Sequence, residues 1–186
     1  ARGFERSVIT YNCLISAFGK AGDLDRAFQT LAEMMRGPRP VQPNEVTITT
    51  LIAACGAAGR SDRGFEALDR GIDLGIRLER KTYLTLASAA ARMGRSEDAY
   101  AVLKEMRKRN VDPDLEIYNC VMSSYKSDRR IEDALAVFGE MRDARIVPDV
   151  VTFNTLLTVC GSNVTAAEQI MEDMKRHRVS RNSQTQ

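Results

Sequence analysis

The sequence predicts an all-α fold, a solenoid of stacked helix-turn-helix repeats, and three observations lead to this prediction. A period of 35 residues runs through most of the chain. Each period holds two stretches whose apolar residues follow helical spacing. Turn residues, chiefly glycine, separate these stretches. A single helical hairpin cannot bury both of its apolar stripes, so neighbouring hairpins must stack, as in repeat proteins.

The period shows most clearly at one aromatic position. Tyr83, Tyr118 and Phe153 follow one another at a spacing of 35 residues (118 − 83 and 153 − 118). Upstream the spacing lengthens by two residues near the segment "GPRPVQPN", and downstream it shortens by two near "GSNV". Fixed periods of this size are typical of solenoid proteins.

Five units tile the chain under this period. No proline-, serine- or glycine-rich linker divides them, so we expect a single solenoid. The units cover residues 8–44, 45–79, 80–114, 115–149 and 150–182. We expect residues 1–7 to end a preceding segment and residues 183–186 to form a disordered tail.

The fourth unit illustrates the two helices of each hairpin. Both of its apolar stripes follow the i, i+3, i+4, i+7 spacing of an amphipathic helix. The first stripe consists of Tyr118, Val121, Met122 and Tyr125. The second consists of Ile131, Ala134, Leu135, Phe138 and Met141. The polar turn "KSDRR" separates the two stripes.

Glycines and prolines mark the expected helix ends. Gly22, Gly59 and Gly94 lie in the turns and can take the left-handed backbone conformation that ends a helix. The Asp or Ser residues that follow them can cap the second helix. Proline cannot continue the hydrogen-bond ladder of a helix. The prolines expected to stop the second helices are Pro43, Pro113 and Pro148.

Composition excludes several classes of function. The net charge of +2 is too small to demand a polyanionic partner, so any nucleic-acid site must be a local feature. No apolar stretch approaches the roughly 20 residues that span a bilayer, so we expect no membrane span. His177 is the only histidine, which excludes histidine-dependent triads and multi-histidine metal sites within the chain. Because glycine-rich phosphate loops and nucleophile elbows are also missing, we expect no enzymatic activity, cofactor or metal.

The four cysteines predict core packing and not a metal site or a disulfide. Cys13 and Cys120 share one position of the repeat, and Cys55 and Cys160 share another. Equivalent positions three hairpins apart lie too far apart for the disulfide limit of about 7 Å between Cα atoms. We therefore expect free cysteines, buried as small side chains, in a protein of a reducing compartment.

These features resemble the pentatricopeptide repeat family over nearly the whole chain. The resemblance rests on the period and on "VITYNCLISAFGKAG" (8–22), "IEDALAVFGEMRDARIVPD" (131–149) and "VVTFNTLL" (150–157). The related tetratricopeptide repeat carries a Trp and Leu-Gly signature that this chain lacks. The resemblance implies a right-handed α-solenoid of stacked helix-turn-helix repeats that binds single-stranded RNA, one base per repeat.

The resemblance also implies which residues read the bases. In the family, the residue after the core aromatic acts together with the last residue of the same repeat. The implied pairs are Asn12 with Asn44, Thr49 with Glu79, Leu84 with Asp114, Asn119 with Asp149, and Asn154 with Asn182. The fourth pair resembles a uracil reader, and the first and fifth resemble pyrimidine readers.

Two of the implied sites depart from the family pattern. Leu84 offers neither a donor nor an acceptor to a base, and Glu79 in place of Asp or Asn leaves the choice at Thr49 open. The aliphatic residues that suit sandwiching of the base rings are Ile9, Val46 and Val151. Lys81 and Glu116 occupy this position in the third and fourth units. With so few intact sites, we expect weak sequence-specific binding by this chain alone.

Three cations near the ends of the first helices are candidates for phosphate contacts. They are Lys20, Arg92 and Lys126. Such contacts would make RNA binding salt-dependent. The alternative is that they are solvated cations that stabilise the negative end of the helix dipole.

Two hypotheses of function follow from the resemblance. The first is a segment of a mitochondrial or chloroplast protein that binds single-stranded RNA in RNA stabilisation, processing or translation. The second is a scaffold within an organellar ribosome or another large complex, bound by protein subunits. We expect apolar faces at both ends to contact such subunits or further repeats, because no polar capping helix is evident. A plain helical adaptor of the tetratricopeptide kind is a third alternative.

Overall fold

The computed structural model describes residues 7–37 and 39–176, which contain ten α-helices, two for each predicted repeat. The first helices are α1 (Val8–Lys20), α3 (Glu45–Ala57), α5 (Arg80–Arg92), α7 (Leu115–Ser124) and α9 (Val150–Cys160). The second helices are α2 (Leu24–Arg36), α4 (Ser61–Asp73), α6 (Ser96–Lys108), α8 (Ile131–Asp143) and α10 (Val164–Arg176). No strand occurs in the described residues, so the all-α prediction is confirmed there. None of these ten helices has the length and apolar character needed to cross a bilayer.

Contacts between residues divide the chain into two compact units, and the division falls between Ala89 and Ala90, inside α5. In the first unit, α1 packs against both α2 and α3, and α3 packs against α4. In the second unit, α7 packs against α6, α8 and α9, and α9 packs against α10. Within each unit, therefore, a first helix contacts its own second helix and the first helix of the next hairpin.

The apolar stripes predicted from the sequence form the core. The buried residues of the first stripe in the fourth hairpin are Tyr118, Val121, Met122 and Tyr125. The second stripe of that hairpin is buried too, except for Leu135, which is half-buried. Tyr83, Tyr118 and Phe153, which mark the period in the sequence, expose 1%, 1% and 0% of their surface and therefore lie in the core. Full burial of one such side chain stabilises the fold by roughly 1.5–3 kcal/mol.

Most helices end at a residue with a left-handed backbone. The three glycines predicted for this role have φ values of 76°, 73° and 66° at Gly22, Gly59 and Gly94. The next backbone N–H then donates to a carbonyl of the last turn, as Asp23 N does to Phe18 O at 2.9 Å. This bond satisfies a carbonyl that the helix leaves unpaired. The turns after α6, α7 and α8 use non-glycine residues in the same conformation, namely Asn110, Arg129 and Arg145.

Three first helices, α3, α7 and α9, begin at capping residues that end the preceding repeat. The Asp149 Oδ1 atom accepts hydrogen bonds from the backbone N–H of Thr152 at 2.8 Å and from its hydroxyl at 2.9 Å. Asn44 forms the same kind of capping box with Thr47. Asp114 caps α7 through its side chain as well. These residues satisfy backbone N–H groups that have no partner within the helix.

The serines of the turns do not cap the second helices, so that part of the prediction was wrong. Asp23 caps α2 and accepts a hydrogen bond from the backbone N–H of Arg26 at 3.0 Å. Ser61 and Ser96 are instead the first residues of α4 and α6 and are buried. The residue directly after the left-handed glycine takes the N-cap position. That residue is an aspartate in the first turn and an arginine, without a side-chain capping bond, in the other two.

The prediction that prolines stop the second helices was also wrong. α6 ends at Lys108 and α8 at Asp143, and a left-handed residue follows each end. Pro113 and Pro148 lie several residues further on, directly before the N-cap of the next first helix, as does Pro43. A fixed φ and the missing N–H suit proline to this short extended stretch between helices.

The cysteines are free, as expected, but only two of them are buried. Cys55 and Cys160 lie in the core, and burial raises the pKa of the Cys55 thiol to about 11. Cys13 is exposed and Cys120 is half-buried. Each of these two directly follows an asparagine at the edge of the core, and the helix turns by about 100° per residue, which carries it away from the buried stripe. The expectation of burial was therefore wrong for Cys13 and Cys120.

The connection between α2 and α3 differs from the other connections. It comprises residues 37–44, whereas residues 74–79 connect α4 to α5. Gly37 has an extended backbone, with φ −61° and ψ 169°, in place of the left-handed conformation. The Val41 N–H donates to the Met34 carbonyl oxygen at 2.8 Å. The longer spacing of the first repeat therefore arises outside the helices.

Replacing Gly19 by alanine should destabilise the first unit. A Cβ atom at Gly19 would lie 2.3 Å from the Ala54 Cβ atom, where α1 and α3 pack together. We expect the free energy of unfolding, measured by urea denaturation, to fall by about 1–3 kcal/mol. Gly139→Ala is the matched control, because nothing lies within 4 Å of its added Cβ atom. A loss of stability as large in Gly139→Ala would contradict this explanation.

Replacing Asp149 by alanine should cost about 0.5–2 kcal/mol of stability, because α9 loses its cap. Asp149→Asn should retain most of the stability, because an asparagine oxygen can accept the same hydrogen bond from Thr152. Thermal unfolding of the two variants and the parent chain measures the difference. Equal destabilisation by alanine and asparagine would show that the cap is not the cause.

Candidate nucleic-acid interface

The second residue of each first helix points to solvent. Ile9, Val46 and Val151 expose 74%, 58% and 56% of their surface, although they are large apolar side chains. Lys81 and Glu116 hold the equivalent position in α5 and α7 and are exposed as well. In both units this position therefore offers side chains to a ligand and not to the core.

Three equivalent asparagines lie at the edge of the core. Asn12, Asn119 and Asn154 each follow a buried aromatic residue and are half-buried. The Oδ1 atom of each is buried and accepts no hydrogen bond within the described residues. Almost all buried polar atoms in proteins have a partner, so three exceptions at one repeat position require an explanation.

The fourth pair is brought together by the structure. The Asn119 Nδ2 atom donates to the Asp149 Oδ1 atom at 3.5 Å, while Asp149 also caps α9. Asn119, Asp149 and Val151 line one pocket of about 370 Å³, called here the α7–α9 pocket. Asp114 and Glu116 complete its polar wall. An amide, two aspartates, a glutamate and an exposed valine thus converge on a space large enough for a planar ring.

The first and fifth pairs are less complete. No hydrogen bond between Asn12 and Asn44 occurs in the described part of the chain. The Asn44 side chain instead accepts hydrogen bonds from the backbone and the hydroxyl of Thr47, as the cap of α3. Asn182, the predicted partner of Asn154, lies outside the described residues.

The second pair is not brought together. The Thr49 hydroxyl lies 2.9 Å from the Glu45 carbonyl oxygen and 2.8 Å from the Thr82 hydroxyl, both within hydrogen-bond distance. The backbone N–H of Glu79 donates to the Glu45 carboxylate at 2.8 Å, while the Glu79 side chain is exposed. Glu45 therefore contacts both residues of the predicted pair: its carbonyl oxygen lies next to the Thr49 hydroxyl, and its carboxylate binds the Glu79 backbone.

The third site lacks a polar reading group. Leu84 is half-buried, and its aliphatic side chain has no hydrogen-bonding atom. Asp114, its predicted partner, caps α7 by accepting a hydrogen bond from the backbone N–H of Ile117 at 3.1 Å. Capping therefore gives a structural reason for an aspartate at this position.

A larger groove lies along the first helices of the first unit, and we call it the α1–α3–α5 groove. Its volume is about 560 Å³. Small residues line its wall, including Ser16, Gly19, Ala53 and Ala54. The polar and aliphatic residues that line it include Lys20, Glu45, Val46, Thr49 and Lys81. Three residues predicted from the sequence, Lys20, Val46 and Thr49, thus meet in one groove.

The three predicted phosphate-binding cations are exposed near the ends of their first helices. Lys20 and Arg92 are the last residues of α1 and α5, and Lys126 lies in the turn after α7. None of the three forms an ion pair with another described residue. By contrast, Arg107 on a second helix binds Glu140 at 2.7 Å. Lys20, Arg92 and Lys126 therefore carry charge that is not neutralised within the described chain.

The described residues with shifted pKa values lie away from the groove and the pocket. A hydrogen bond from Arg60 lowers the pKa of Asp62 to about 2, and burial raises the pKa of Tyr125 to about 12. Neither residue lines the α1–α3–α5 groove or the α7–α9 pocket. The described residues also contain no group of three or more metal-ligating side chains.

Sequence reasoning missed Glu45 and Thr82. Glu45 is the only acidic residue at the first position of a first helix, where the other hairpins have Val8, Arg80, Leu115 and Val150. That departure was the available signal. It becomes meaningful only with Thr82, whose hydroxyl donates to the Glu45 Oε1 atom at 2.9 Å from the next first helix.

Profiles of known protein families match most of the chain. The profile described as "PPR repeat family" matches residues 6–57 and 113–162. The profile "Pentatricopeptide repeat domain" matches residues 66–127, and "PPR repeat" matches residues 46–76. A comparison with curated protein sequences gave no significant match.

Solved structures share the fold. The crystal structure of the maize pentatricopeptide repeat protein PPR10 matches with a TM-score of 0.83 and 29% identity, over 97% of this chain and 26% of PPR10. The complex of PPR10 with an 18-nt psaJ RNA element matches with a TM-score of 0.70 and 25% identity, over 95% of this chain and 29% of that one. The PPR domain of Arabidopsis thaliana protein-only RNase P 1, in complex with tRNA, matches with a TM-score of 0.66 and 18% identity, over 91% and 89% of the two chains.

These matches confirm the predicted solenoid of stacked helix-turn-helix repeats. The chain spans only about a quarter of the PPR10 structure that it matches. At 18% identity, the likeness to the RNase P domain shows the fold alone. With one family profile matching more than half of its residues, and others covering much of the rest, the chain belongs to the pentatricopeptide repeat family.

Proposed function

We propose that this chain binds single-stranded RNA along its first helices, with one base facing each repeat. The observation that carries the proposal is the set of buried, unpaired amide oxygens of Asn12, Asn119 and Asn154. A buried acceptor without a partner costs about 1–3 kcal/mol. Because this cost recurs at one repeat position, we infer that each amide turns when RNA binds, which brings its oxygen to a donor of the ligand. An N–H group on the Watson–Crick edge of a base is such a donor.

The exposed aliphatic residues fit the flat faces of a base. Ile9, Val46 and Val151 lie three residues before the base-reading position of their repeats and are largely exposed. Contact with a base ring would remove this apolar surface from water. Stacking on side chains is worth on the order of 1–3 kcal/mol per base.

The comparison with PPR10 supports RNA as the ligand. PPR10 was crystallised with an 18-nt psaJ RNA element, and that complex shares the fold of this chain at 25% identity. The match to this complex covers 95% of the present chain. An RNA ligand is therefore compatible with the arrangement of the first helices.

We propose that the sites differ in strength. The fourth site is the strongest candidate, because Asn119 and Asp149 form a hydrogen bond within the α7–α9 pocket. The third site contributes little selectivity, because Leu84 cannot form hydrogen bonds. Lys81 and Glu116 place charges where the other repeats have aliphatic side chains, which weakens stacking at the adjoining bases. Affinity of this chain alone should accordingly be modest.

We further propose a non-enzymatic role in a mitochondrion or chloroplast, in RNA stabilisation, processing or translation. The family resemblance supports this role. Each predicted repeat, from 8–44 to 150–182, would then serve one base.

A protein-binding scaffold is the second candidate function. The specific observation in its favour is the interruption of the reading surface by Lys81, Leu84 and Glu116. Charged and aliphatic residues at these positions suit a protein surface better than a row of bases. In this case subunits of an organellar complex or further repeats would occupy the groove or the ends.

Removing the reading amides should weaken RNA binding. We expect Asn119→Ala and Asn154→Ala each to raise the Kd for a uridine-rich oligomer by about tenfold, because one base contact is lost. Fluorescence anisotropy with uridine-rich and adenosine-rich oligomers at moderate salt measures the change. The adenosine-rich oligomer should bind more weakly to the parent chain.

Gln169→Ala is the matched control, because it removes an exposed amide from the second helix α10. Its Kd should equal that of the parent chain. If neither oligomer binds, or if both asparagine variants bind like the control, RNA reading by these residues is refuted. Co-purification of a defined protein complex would then favour the scaffold.

Lys126→Ala should weaken binding to all RNA sequences alike. A phosphate contact carries no base information, and its loss should reduce the slope of log Kd against log salt by about 0.7 for a single strand. Lys104→Ala, on the second helix α6, is the control and should leave the slope unchanged. An unchanged slope in Lys126→Ala would show that this lysine contacts no phosphate and only stabilises the end of the helix.

A further inference from the structure

The second repeat is joined to the third through a side chain that no other repeat has. Glu45 is the first residue of α3, and its Oε1 atom accepts two hydrogen bonds from the start of α5. The donors are the backbone N–H of Glu79 at 2.8 Å and the hydroxyl of Thr82 at 2.9 Å. In α9 the corresponding groups bond within a single capping box, formed by Asp149 and Thr152. Glu45 therefore caps α5 from the preceding repeat.

This arrangement changes which carboxylate faces the second site. Glu79 has an exposed side chain that does not line the α1–α3–α5 groove. Glu45 lines that groove together with Thr49. In the fourth site the carboxylate beside the reading residue belongs to Asp149, the last residue of the repeat. In the second site this carboxylate belongs to Glu45, the first residue of the repeat.

The hydrogen bonds also fix what Thr49 can offer. Thr82 gives its hydroxyl proton to the Glu45 carboxylate, so it cannot donate to Thr49. The Thr49 proton then goes to Thr82 or to the Glu45 carbonyl oxygen, both within hydrogen-bond distance. Either way, the Thr49 oxygen is left as an acceptor. The Glu45 Oε2 atom is also an acceptor, and no described residue donates to it.

We infer that Glu45 and Thr49 form the base-selecting pair of the second repeat and that this pair selects guanine. The inference rests on the RNA-binding function proposed above. Two acceptors match a base edge with two neighbouring donors, and guanine alone offers this through N1–H and N2–H₂. Uracil has one ring N–H between two carbonyl groups. Adenine and cytosine place a ring acceptor beside their amino group, and that acceptor would face another acceptor.

Selection of RNA from a randomised pool by the full chain tests this inference. The parent chain should enrich guanine at one position. Glu45→Gln keeps an amide oxygen that can cap α5 but replaces Oε2 with an NH₂ donor. The guanine preference should then fall by about tenfold, because every base offers a donor beside an acceptor on its Watson–Crick edge. Preferences at the other positions should stay unchanged.

Glu79→Gln is the matched control and should keep the guanine preference. Equal melting temperatures by circular dichroism would show that both variants are folded. If the parent chain enriches RNA but Glu45→Gln retains guanine, or if Glu79→Gln loses it, this inference is overturned while RNA binding stands. If the parent chain enriches no sequence at any position, the proposed function fails, and the inference fails with it.

Discussion

Burial of one side chain in each first helix determines how deep the neighbouring candidate site residue lies. Tyr118 and Phe153 are almost completely inaccessible, so the helix turn of about 100° per residue leaves Asn119 and Asn154 at the edge of the core. The same relation holds within the first unit between Tyr11 and its neighbour. The core thus fixes the depth of the candidate reading residues, and the free energy that stabilises the fold also positions the candidate site.

The residues that end the repeats have two physical reasons for their identity. Asp149 caps α9 and accepts a hydrogen bond from Asn119, so both helix formation and this contact favour an aspartate there. Asp114 caps α7 although its predicted partner, Leu84, cannot form a hydrogen bond. An aspartate or asparagine at the end of a repeat therefore does not by itself indicate a base contact. Whether such a residue can contact a base also depends on the other residue of its implied pair.

The sequence predicted the parts of the structure that depend on local pattern. The period and the stripe from Tyr118 to Tyr125 gave the hairpins, because burial of apolar residues follows helical spacing. Features set by one residue of register were harder to predict, as with Ser61, which begins α4 instead of capping it. Contacts between repeats were not predictable from periodicity. Glu45 becomes important only because folding brings it to Thr82, in the next first helix.

The longer connection between α2 and α3 lengthens the first repeat, while the packing of α1 on α3 is kept. The additional residues lie within 37–44, outside both helices, and α1 still packs on α3 with Gly19 against Ala54. Chain length can therefore change at this loop without moving the residues that line the α1–α3–α5 groove. The connection is a natural place to insert a fluorophore or an affinity peptide, and an array built from such units could vary its loops while its helices keep their spacing.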